Sequence, residues 1–94
     1  MGAAITQLHR AHDVSFRHII ALLSMNPARI AGLAERGTLV RNSHADVTIF
    51  DPQKKWTYYV SQTKSKSRNA PYDGMTFFGK VMYTIVGGKI VYTA

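Results

Sequence analysis

Near the C-terminal end, the strand-like run Lys80 to Val86 (KVMYTIV) leads into Gly87-Gly88 and then a second such run, Lys89 to Thr93 (KIVYT). A two-residue hairpin loop needs backbone at positive φ, which glycine alone enters freely, so the stretch predicts a tight antiparallel hairpin. Strict alternation would send Val81, Tyr83 and Ile85 to one face and Met82 and Val86 to the other. Both faces are then apolar and both need cover.

The upstream sequence supplies helices before it supplies more strands. Ser15 is placed as an N-cap, with Val14 before it and Ile19 at the fourth helical position, the spacing of a hydrophobic staple. Phe16, Ile19, Ile20 and Leu23 follow the i, i+3, i+4, i+7 rhythm of one buried face. Asn26-Pro27 predicts a stop, because the residue before proline is pushed out of the α region. The same pair can cap and open a second, short helix ending near Gly32. Ile5 and Leu8 hint at an earlier helical turn or two. From Gly37 the period changes: Ala45 to Phe50 (ADVTIF) alternates, Asp51-Pro52 reads as its closing turn, and Trp56 to Val60 (WTYYV) reads as a further run. The expected class is α+β, with a helical segment over residues 1–35 and a β-rich segment of antiparallel strands over residues 36–94.

Size and charge narrow what such a chain can do. Its 94 residues make one domain at most, with room for only a modest core. No apolar run approaches the roughly 18 residues that cross a bilayer, and the start lacks a signal peptide's apolar stretch, so a cytoplasmic location without a membrane partner is expected. With no cysteine, disulfides, thiolate metal sites and cysteine nucleophiles are excluded. The net charge is +7, and Lys54, Lys55, Lys64, Lys66 and Arg68 lie between Pro52 and Tyr72 with no acid among them. Such a field attracts polyanions, and Trp56, Tyr58 and Tyr59 could stack bases. A solvated basic edge with strand aromatics packed across the sheet is the simpler reading, and no RNA-binding signature supports the other. Nucleic acid is therefore the disfavoured partner.

Catalytic signals are sparse. His9-x-x-His12 puts two imidazoles one helical turn apart, but no glutamate lies between them and a third ligand would have to come from His18, His44 or a distant carboxylate. Asp46, Asp51 and Asp73 each stand where an aspartate serves a turn or a cap. There is no nucleophile elbow and no phosphate-cradling glycine loop. The residues alone nominate no catalytic side chain and no metal ligand.

Three longer strings are more specific: Leu22 to Leu33 (LLSMNPARIAGL), Gly37 to Pro52 (GTLVRNSHADVTIFDP), and Ser65 to Tyr92 (SKSRNAPYDGMTFFGKVMYTIVGGKIVY). In this order and spacing they resemble the C-terminal end of bacterial dihydroorotases, which are cyclic amidohydrolases. The likeness runs from about Ile5 almost to the last residue. Ala70 and Tyr72 stand where threonine and phenylalanine are usual. Arg41 to His44 replaces an uncharged, glycine-containing link, so the turn into the next strand is expected to differ.

The resemblance implies a (β/α)8 barrel carrying a composite β-domain built from both chain ends. This chain would match the last barrel helices and the C-terminal share of that β-domain. A complete barrel takes about 250 residues, so most of the fold lies elsewhere. It also implies zinc in the parent family and none in this chain: the His-x-His pair and the aspartate-bearing strand have no counterpart here. His9 and His12 fall in the helix after that strand. Such a chain would lack catalysis alone. Its partners would be the rest of the barrel, or other copies through exposed apolar strands. Lys66, Arg68, Asn69 and Pro71 form a candidate interface loop.

Overall fold

The computed structural model describes residues 1–94: two helical stretches, then a three-stranded antiparallel sheet. The first helix is α-helical over Gly2–Ala4 and opens into wider π-helical turns over Ile5–Arg10. It ends at Asp13, whose φ of 57° is a left-handed conformation that a short polar side chain tolerates. His9 closes the same corner. Its Nδ1 lies 2.8 Å from the carbonyl oxygen of Val14, and its ring stacks on Phe16 at 3.9 Å. A carbonyl can only accept, so Nδ1 carries the proton.

Ser15 caps the second helix as expected, its Oγ accepting from the His18 N–H at 3.2 Å. The expected break at Asn26-Pro27 does not occur. The chain stays helical through Phe16–Ile20, Ala21–Met25 and Asn26–Ile30, and Asn26 is in the α region rather than capping a new helix. The middle segment is π-helical, with the Asn26 N–H reaching the carbonyl of Ala21, five residues back. This widened turn shifts the preceding carbonyls just where Pro27 brings a ring and no donor, so the proline is absorbed rather than obeyed. Gly32, at φ 68°, does end the helix. The Leu33 N–H bonds to Ala28 and the Gly32 N–H to Arg29, the paired bonds of a Schellman motif.

The strands are β1 (Val47–Thr57), β2 (Thr76–Val86) and β3 (Lys89–Thr93), in the order β1-β2-β3. Asp51-Pro52 does not close a strand either. β1 continues through it, with Asp51 opposite Lys80 and Lys55 opposite Phe78, so β1 carries extra residues there as a bulge. Asp51 Oδ1 accepts from the Gln53 N–H at 2.9 Å, so the turn chemistry is present but holds a bulge. Trp56 and Thr57 complete β1, whereas Val60 opens a single 3-10 turn, Val60–Gln62. The predicted hairpin forms, Gly87 and Gly88 taking φ of 56° and 79° between Val86 and Lys89, which pair. A further irregularity between Ile49 and Phe50 places two residues of β2 against one of β1, so the alternation expected for Val81 to Val86 is interrupted at Met82.

The core sits where the first helix crosses the sheet. Ile5 is fully buried against Gly79, whose φ of 89° and missing side chain let the helix approach the backbone of β2. A Cβ at Gly79 would lie 3.1 Å from that of Ile5. Trp56 Nε1 donates to the Gly79 carbonyl at 3.0 Å, and the Phe78 N–H donates to Thr6 Oγ1 at 2.9 Å. Arg10 covers the Phe78 ring, 3.5 Å from its centroid.

Beyond this joint little is enclosed. Only six of 94 residues are buried, too few for a self-sufficient core. The accessible surface is 7190 Å², against about 5,400 Å² for a folded monomer of 10.5 kDa. The radius of gyration is 14.5 Å, against about 12 Å for a domain of this length.

Candidate functional site

The surplus of about 1,800 Å² of surface has the scale of one partner's side of a large, permanent interface. It is not spread evenly by residue type. The second helix turns Leu22, Leu23, Met25 and Ile30 to solvent, and Leu39 and Val40 follow on the connection to the sheet. Ile30 is 87 % exposed and Leu39 83 % exposed, values no folded monomer needs for large aliphatic side chains. Beside them runs a groove of about 450 Å³ floored by Met25, Ala28 and Leu33 and edged by Arg29 and Arg36. Gly37 lets the connection tuck against the helix, because a Cβ there would meet the Ser24 carbonyl at 3.0 Å.

Asp46 ties this connection to the hairpin. Its Oδ2 pairs with Arg36 at 2.6 Å while Oδ1 accepts from the Gly87 N–H at 2.9 Å. The Gly88 N–H adds a bond to the Ala45 carbonyl at 3.0 Å. In the turn before this strand the Ser43 N–H bonds to the Val40 carbonyl, with Asn42 at φ 68°. Of the three aspartates singled out from sequence, only Asp51 serves its own turn; Asp46 and Asp73 reach distant backbone instead, Asp73 Oδ1 accepting from the Val60 N–H at 2.9 Å.

The basic loop folds on itself first. Arg68 Nη1 donates to the Val60 carbonyl at 2.7 Å and lies 3.4 Å from Thr63 Oγ1. The Asn69 N–H reaches Ser67 Oγ at 3.4 Å. Lys66, Asn69 and Pro71 are exposed. The Tyr72 ring meets Phe77 edge-on at 5.7 Å, and the Gly74 N–H bonds to the Tyr58 carbonyl at 2.8 Å. The loop is thus pinned at both ends, presenting Lys66 and Pro71 outward.

No three histidine, aspartate or glutamate side chains converge into a set that could hold a metal ion. His9 is committed to Val14 and Phe16, while His12, His18 and His44 are exposed on separate elements. The residues of this chain therefore do not fit a zinc site, and no chemical step is assigned to them. Sequence reasoning missed the Ile5–Gly79 joint, although an isolated glycine inside a strand run (FFGK) is the signal of a close backbone approach.

The profile of the amidohydrolase family matches residues 2–92. The chain belongs to the amidohydrolase family. Among curated relatives, this amidohydrolase chain is 46% identical over 86 residues to a dihydroorotase of Aquifex aeolicus, covering 92% of the chain and 20% of that protein. It is 41% identical over 92 residues to a dihydroorotase of Clostridium acetobutylicum, covering 98% and 22%. Among solved structures, an L-hydantoinase (dihydropyrimidinase) from Arthrobacter aurescens superposes with a TM-score of 0.90 at 26% identity, covering 99% of the chain and 21% of its own. The amidohydrolase chain thus matches a fragment of a dihydroorotase and spans about a fifth of the length of these relatives.

Proposed function

We propose that this amidohydrolase chain is the C-terminal share of a dihydroorotase, and that it completes the enzyme by docking rather than by chemistry. The single observation that carries the reading is the 46% identity over 92% of the chain to a dihydroorotase of which it covers a fifth. The uncovered surface supports it: the second helix would lie against the remaining barrel, and the three strands would supply part of a composite β-domain. The reaction of the whole enzyme is reversible closure of N-carbamoyl-aspartate to dihydroorotate, in the cytoplasm. Its zinc and the ligands of that zinc belong to the remainder of the enzyme. The loop of Lys66, Arg68, Asn69 and Pro71 faces that remainder, Lys66 supplying charge and Arg68 holding the loop's shape.

Purified chain mixed with zinc and dihydroorotate is expected to open the ring no faster than buffer. Co-production with a dihydroorotase truncated before this segment is expected to yield a stable complex that turns over. Turnover by the chain alone would overturn the docking reading. Failure of the truncated enzyme to bind the chain would likewise count against docking, leaving the dihydroorotase likeness to rest on sequence.

A further inference from the structure

The connection between the second helix and β1 is exposed but not slack. The His44 N–H donates to the Glu35 carbonyl at 3.0 Å, closing residues 35–44 into a loop. Within it the Val40 N–H donates to Thr38 Oγ1 at 3.2 Å, and the Ser43 N–H to the Val40 carbonyl at 3.1 Å. Glu35 sits at φ 60°, a left-handed conformation that a residue other than glycine keeps only where its surroundings hold it. The loop is also fastened to two different elements. Gly37 brings its start against the second helix at Ser24 and Ala28. Asp46, just past its end, pairs with Arg36 and accepts from the Gly87 N–H, so one carboxylate clasps the loop to the hairpin. The second helix itself touches the sheet little, which leaves this clasp to set the loop against both.

What the loop presents is apolar. Leu39, midway along it, is 83 % exposed and Val40 is 69 % exposed. A slack loop could turn two such side chains inward, whereas the bonds within this one keep them in water. The loop lies inside the region that matches the amidohydrolase family, on a chain spanning a fifth of its dihydroorotase relatives. Those relatives therefore have four-fifths of their length from which cover for it can come.

We propose that residues 35–46 form a docking arm that seats Leu39 and Val40 in an apolar recess on the remaining four-fifths of a dihydroorotase, with the Arg36–Asp46 pair fixing the arm's pose. The proposal rests on the docking reading above and names the residues through which docking acts. Because Leu39 touches little of its own chain, Leu39→Ala leaves the fold intact, and a loss of assembly reads the partner contact.

The experiment needs no isolated chain. The dihydroorotase of Aquifex aeolicus, truncated before this segment, is produced in limiting amount alongside equal amounts of the unaltered chain and one variant. The intact masses in the purified complex give each chain's share. Leu39→Ala is expected to be depleted about tenfold, since the carbons it lacks would be buried on docking. Arg36→Met and Asp46→Asn are each expected to be depleted about twofold, in keeping with one exposed ion pair. Asp46→Asn keeps an oxygen for the Gly87 N–H, so it tests the pair alone. The double variant should lose no more than either single one, because Arg36 acts through Asp46. An equal share for Leu39→Ala, with the unaltered chain captured, would overturn the arm and leave docking standing. A further loss in the double variant would overturn the role of the clasp. Chains that assemble with one another and leave the truncated enzyme unbound would overturn both the arm and the docking reading.

Discussion

Gly79 is the residue on which the helix–sheet joint depends most. Its φ of 89° and the closeness of Ile5 each forbid a side chain, so Gly79→Ala is expected to cost about 2–4 kcal/mol. A urea unfolding midpoint measures it. Thr6 acts on the same strand by accepting the Phe78 N–H inside a partly buried joint. Thr6→Val keeps the shape and removes the acceptor, at an expected cost of about 1–3 kcal/mol. Hydrogen exchange at the Phe78 amide should accelerate in that variant. Asp46 separates two contributions. Asp46→Asn gives up the exposed pair with Arg36, worth about 0–1 kcal/mol, but keeps an oxygen for the Gly87 N–H. Asp46→Ala loses both and should be the less stable of the two by thermal melting.

At the scale of elements, the hairpin was legible because its demand is local: two consecutive residues at positive φ leave few candidates besides glycine. Gly87→Asn should be nearly neutral, since asparagine enters the left-handed region, whereas Gly87→Val should cost about 1–2 kcal/mol and loosen β3 by hydrogen exchange. The Ser15 cap and the Gly32 stop were legible for the same reason. Asn26-Pro27 and Asp51-Pro52 misled because each signals a local irregularity without saying how large. In the second helix a π-helical turn absorbs the proline, and in β1 a bulge does. Neither the paired strand β2 nor the widened helix can be read from the dipeptides themselves.

For the whole molecule, the decisive quantity is surface left uncovered. The second helix touches the sheet little and keeps Leu22, Leu23 and Met25 in water, so its amides should exchange faster than those of β2 beneath the first helix. A dye that fluoresces on apolar surface should bind the isolated chain and be displaced when a barrel partner docks. A dye signal unchanged on complex formation would show that the docked face lies elsewhere.

What the order of residues settled was local or compositional: helices before strands, the glycine hairpin, the Ser15 cap and the Asp51 turn, and an apolar content too great for so short a chain to bury. Its long shared strings also carried the family. The tertiary structure alone brought Ile5 to Gly79, 74 positions apart, turned Lys80 from Asp51 toward Trp56, and folded Arg68 back onto Val60. Those outcomes depend on which distant backbone comes within reach, and propensity and spacing act only over a few neighbouring residues.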